Sequence, residues 1–200
     1  MVRLSPIKRQ IKNIRKYLKI SGGSGLIRRY FVMNAFDGAL TIFGVILGSF
    51  VAGISDFSLV ASIGIATSIA VGISGVWGAF LTETAERKRE LKSLEKSLHR
   101  KLKGTDIEKA FTATTYMTAA VDGLSPFLAA LVILAPFIIA PVELSVNDVY
   151  WLSFILAAVV FMLLGAYLGK ISKENIFLSA IKLILAGAIC MIAITLLSGG

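Results

Sequence analysis

The chain has 200 residues, 56% of them hydrophobic and only 16% charged, with a mean hydropathy of +0.80. That composition leaves too little polar surface to cover a soluble globule, so it excludes an ordinary soluble domain and points to an integral membrane protein. A net charge of +9 invites a nucleic-acid partner, but the bases are distributed in a way that excludes one.

Residues 1–20 place Leu4, Ile7, Ile11, Ile14 and Leu18 at helical spacing. The opposite face carries Arg3, Lys8, Arg9, Lys12, Arg15, Lys16 and Lys19, with no acid. This pattern predicts an amphipathic helix lying on anionic lipid headgroups. A basic helix packed on the protein's own cytoplasmic segment is the alternative. No apolar h-region or cleavage site adjoins it, so it is not read as a signal peptide. Ser21-Gly22-Gly23-Ser24-Gly25 reads as a hinge, which closes an N-terminal segment over residues 1–29.

Five apolar runs follow, at about 30–53, 58–81, 116–141, 149–169 and 176–198. Each reaches the roughly 20 residues that cross a bilayer core. Pro126 and Pro136 are expected to interrupt the third. The fold class is therefore all-α, with transmembrane helices 1–2 over 30–81, a charged helical cytoplasmic segment over 82–110, and helices 3–5 over 111–200. Of the 21 bases, nine lie in 1–30, nine in 82–110, and three are Lys170, Lys173 and Lys182. The loops at 53–57 and 142–148 have none, so the N-terminus is expected in the cytoplasm and the C-terminus outside. Lys182 would snorkel back to the cytoplasmic side. The positive charge is an orientation signal. The single cysteine, Cys190, can form no internal disulfide.

Within the first run the only charge between Tyr30 and Gly53 is Asp37. An acid inside a membrane span is costly and marks a functional position by default. Asn34, Asp37, Thr41, Gly44, Gly48 and Ala52 share one helical face, a stripe of polar and small residues that holds this acid. The plainer reading is a Gly-xxx-Gly packing face, made by Gly44 and Gly48, that carries a satisfied acid. In the third run Asp122-Gly123 echoes Asp37-Gly38, which makes Asp122 a second pathway acid or an interfacial acid paired with Lys182.

No Pro or Gly interrupts the second run until Gly104, so its helix is expected to continue into the charged segment. Glu83, Glu86 and Glu90 then fall on one face, in line with Gly64, Ser68, Gly72, Gly75 and Ala79. Three carboxylates so spaced are candidate ligands for a divalent cation, given further ligands from a neighbour. A solvated helix with local ion pairs is the alternative. No zinc spacing, phosphate loop or nucleophile elbow is present, so neither an enzyme nor a resident cofactor is expected.

Phe36-Asp37-Gly38-Ala39-Leu40-Thr41 resembles the signature that opens the first helix of the vacuolar iron transporter family. Gly78-Ala79-Phe80-Leu81 followed by Glu86, Ser125-Pro126-Phe127 through Ala135-Pro136-Phe137, and Leu164-Gly165-Ala166-Tyr167 are similar, in order, to its later helices. The resemblance implies a homodimer of five-helix protomers that moves ferrous iron, and often manganese, out of the cytoplasm in exchange for protons. It implies that Asp37 is a metal and proton site in the pathway and that cytoplasmic glutamates collect the metal. Two departures stand out: Thr67 and Gly75 occupy positions where that family has pathway ligands, and the cytoplasmic segment is short. The sequence thus reads as a divalent-metal/proton exchanger. The alternative is a non-transporting membrane scaffold assembled through the same glycine faces.

Overall fold

The computed structural model describes residues 16–139 and 144–198. Residues 1–15 of the amphipathic helix predicted over 1–20 lie outside them. The described chain forms helices α1 (Gly23–Val51), α2 (Phe57–Leu98), α3 (Asp106–Ile139), α4 (Val146–Ser172) and α5 (Ile176–Ser198). All five are long and apolar enough to cross a membrane, and no strand occurs among the described residues.

Local chemistry sets the boundaries. The Asp56 carboxylate accepts from the backbone N–H groups of Ser58 and Leu59 and opens α2. Thr105 caps α3 while Glu108 reaches back to the Gly104 N–H, a capping box displaced by one residue. Ser145 caps α4, Lys173 ends it in the left-handed conformation, and Asn175 starts α5.

Two expectations change. The predicted hinge shrinks to a turn at Ser21-Gly22, with Gly22 at φ +66°, and α1 begins at Gly23. A Cβ on Gly23 would meet the Thr114 side chain at 2.8 Å, so this glycine serves close packing rather than bending. The third span is not interrupted: α3 is helical through Pro126 and Pro136. Prolines persist inside such helices where neighbouring groups support the backbone. The continuation of α2 past residue 82 is as expected, over one helix of 42 residues.

The chain divides into two compact units, residues 1–31 with 74–123 and residues 32–73 with 124–200. In the first, α2 and α3 run antiparallel. Gly75 faces the Asp122–Gly123 backbone, where a Cβ would come within 2.7 Å of the Asp122 carbonyl oxygen. The Arg87 guanidinium lies over the Phe111 ring, 5.5 Å from its centroid. The buried apolar residues of this unit are small apart from one leucine: Ala79, Leu102, Ala110 and Ala119.

The second unit has a core of large side chains, including Ile42, Phe43, Ile46, Ile133, Leu134, Phe137, Tyr150 and Phe161. Its rings meet edge to face, as at Phe36–Phe161 (5.5 Å) and Phe137–Tyr150 (4.9 Å). Tyr150 donates its hydroxyl proton to the Ile54 carbonyl at 2.8 Å. Gly38 packs directly on the Pro126 backbone and Gly165 on that of Ala180, so each pair of helices touches main chain to main chain.

Candidate functional site

In the first unit one face of α2 carries Gly75, Ala79 and Glu83, four residues apart, with Gly75 half-buried and Ala79 and Glu83 buried. On α3 the threonines Thr114, Thr115 and Thr118 are buried, and α1 supplies Tyr30. Glu83 is 8% exposed and Asp122 9%. Glu83 Oε1 accepts from the Tyr30 hydroxyl at 3.2 Å, and Asp122 acts electrostatically on the same hydroxyl.

Beside Arg29, which lies over the Tyr30 ring at 6.0 Å from its centroid, this region holds the cation Arg87. Its Nη1 bonds Glu90 at 2.6 Å, while its Nε lies 3.4 Å from Glu83 Oε2. That second contact is ionic without being directional: neither Glu83 Oε2 nor Arg87 Nε makes a hydrogen bond. The Thr118 hydroxyl is fully buried and also has no hydrogen-bond partner among the described residues. Burying a carboxylate is costly unless it is paired, and Glu83 is paired with the Tyr30 hydroxyl and the Arg87 guanidinium.

The sequence-predicted residues are distributed unevenly. Glu83 and Glu90 are brought together through Arg87, whereas Glu86 turns outward, 4.0 Å from Arg89. Asp37 and Thr41 are exposed on α1 in the second unit, and Asn34 is half-buried. Behind Thr41, the seam where Gly38, Thr67, Ser68, Pro126 and Ala130 meet leaves no space for a water molecule. Gly48 has nothing within 4 Å of where a Cβ would sit, and Gly44 has only ordinary contacts, so neither makes a close approach inside the chain. Lys182 reaches Glu174, at 3.7 Å. Among the described residues no group of three or more His, Cys, Asp or Glu side chains gathers into a metal site.

Sequence reasoning missed Tyr30, Thr118 and Arg87. Thr118 was legible in principle, because it stands one helical turn before Asp122. Tyr30 reads as a border aromatic, and only the fold brings it to Glu83. Outside the spans, Lys16 Nζ lies 2.6 Å from Asp106 Oδ2. The hydrogen bond raises the lysine pKa above its ordinary value and lowers that of the aspartate.

No family model matches the chain. It is 33% identical over 188 residues to the uncharacterized protein MJ0645 of Methanocaldococcus jannaschii, covering 92% of this chain and 93% of that protein. The chain belongs to the family of that archaeal protein. Coverage of that extent takes in both units rather than one.

Proposed function

We propose that the chain is a multi-pass membrane protein that exports divalent cations, ferrous iron or manganese, from the cytoplasm in exchange for protons. The observation that carries this reading is the burial of Glu83 and Asp122, on two helices long and apolar enough to span, around the Tyr30 hydroxyl. The same carboxylate oxygens can take a metal ion or a proton, so the two compete for them. That competition at shared oxygens couples the two fluxes. Arg87 stands in for the cargo on Glu83 when the site is empty, and Glu90 holds it when the cargo arrives. The N-terminus faces the cytoplasm in this reading, as the base distribution requires.

Asp37 enters through assembly. It and Thr41 are exposed on an apolar helix, where lipid is a poor neighbour for a carboxylate. A second copy packed on this face joins two Asp37 carboxylates and supplies ligands that one protomer lacks. The dry seam behind Thr41 favours the rival reading, a scaffold whose helices only pack.

Proteoliposomes holding a pH dye, challenged with a panel of divalent metals, decide between the two. Metal uptake with opposite proton movement is expected, and Asp37→Asn should lose both while staying folded. Undiminished flux in folded Asp37→Asn and Asp122→Asn proteins would sink the exchange mechanism, and no flux in the wild type would leave the scaffold.

A further inference from the structure

On the outer side of α2 and α3 in the first unit is a groove of about 230 Å³. Its lower wall is Phe80 and Tyr116; its upper part holds Thr84, Lys88 and Arg87, with Phe111 behind. Two donors here are uncommitted. Lys88 makes no ion pair and the Thr84 hydroxyl no hydrogen bond among the described residues. Other polar groups are engaged: Thr112 and Thr115 donate to backbone carbonyls, Arg87 is held by Glu83 and Glu90, and Glu108 accepts from the Gly104 N–H. The Lys88 charge with a hydroxyl one turn away is thus left facing the groove, with the Glu108 carboxylate, which makes no ion pair among the described residues, on its α3 wall.

The position of the groove selects the ligand. Immediately on one side, Trp77 (64% exposed), Leu81 and Tyr116 present apolar and aromatic surface. On the other side the charges begin, at Glu86 and onward. On the reading that α2 and α3 cross a bilayer, the groove straddles the level of the lipid phosphates, where aromatic side chains collect and lysines rise to the headgroups. We propose that this groove binds the phosphate of an anionic phospholipid headgroup, with Lys88 and Thr84 as donors and the acyl chain lying along Trp77, Leu81 and Tyr116.

Trp77 is the reporter. It lies beside Phe80, with ring centroids 6.5 Å apart, and the chain has two tryptophans, so Trp151→Phe leaves Trp77 alone. The full chain carrying Trp151→Phe is reconstituted in vesicles containing acyl-brominated phosphatidylglycerol or phosphatidylcholine, and quenching is compared at equal mole fraction. Phosphatidylglycerol should win by about fivefold, the worth of one lysine near the surface. Lys88→Gln and Thr84→Val should each reduce that preference, with the N-terminal bases untouched in both. Equal quenching by the two lipids, or a preference that survives both substitutions, overturns the site while leaving the membrane reading intact. No quenching by either lipid overturns the membrane placement on which the site rests. Loss of the preference in millimolar inorganic phosphate would show a free-phosphate site instead and overturn the lipid assignment.

Discussion

The two units bury apolar helices by different means. In the second, large side chains fill the interior, its buried polar residues are all serines, and its acid on α1, Asp37, is exposed. In the first, the buried apolar residues among those described are three alanines and one leucine, accompanied by Glu83, Asp122 and three threonines. Both units therefore contain a carboxylate in an apolar helix, but only the first turns its carboxylates inward. The cost of burial follows the neighbours an acid meets rather than the hydropathy of its own helix. A packed hydrocarbon core favours one rigid arrangement. An interior of small residues and titratable groups is bound to its charge state.

The largest expected effect breaks the packing of the second unit. Gly38→Leu puts a side chain onto the Pro126 backbone, which cannot give way as a flexible side chain can. The cost should exceed about 3 kcal/mol, seen as loss of the cooperative thermal transition in detergent. Gly48→Ala, with open space around it, should leave that transition in place. Equal behaviour of the two variants would refute the close approach at Gly38.

In the first unit, Glu83→Ala strands the buried Arg87 with Glu90 as its remaining partner. Destabilisation of about 3 kcal/mol is expected, well above that of Asp37→Asn, which is exposed in the protomer and should stay within about 0.5 kcal/mol. Reversal of that order in chemical denaturation would show that the contrast between the units is drawn wrongly.

Thr118→Val sharpens the comparison in the opposite direction. It replaces a buried hydroxyl that lacks a hydrogen bond by a methyl group of similar size. As a packing residue the valine should stabilise the protein by about 1 kcal/mol. The same variant should weaken divalent-cation binding in calorimetric titration if the hydroxyl serves the site. Unchanged stability and unchanged binding together would remove Thr118 from it.

The smallest effect concerns Lys16 and Asp106. The aspartate pKa is lowered by folding, so its contribution is present above the unfolded value and is lost as pH falls through the lower, folded one. The lysine pKa is raised, so its contribution is present below the unfolded value and is lost as pH rises through the higher, folded one. The contact should hold between those limits. Asp106→Asn should abolish it with little change in melting temperature, because both groups are exposed. Amide exchange at residues 16–20 that accelerates in Asp106→Asn at neutral pH, and in the wild type only at acid pH, is the expected signature.

Hydropathy and helical period by themselves determined the five apolar helices, the continuation of α2 into the charged segment, and the face that lines Ala79 up with Glu83. These follow from period and length, which are local properties of the chain. Proline and glycine misled, because their local meaning is a break. At Gly23 the missing side chain admits Thr114 of α3, and at Pro126 the helix runs on with Gly38 of α1 seated on its backbone. What only the tertiary structure decided is which carboxylates are inside. Glu83, Glu86 and Glu90 share a face on a wheel, yet one is buried beside Tyr30, one points outward to Arg89, and one holds Arg87. A helical wheel gives direction about one axis. The energy of a charge depends on the dielectric and the partners that other helices bring to it, and those are set by the fold.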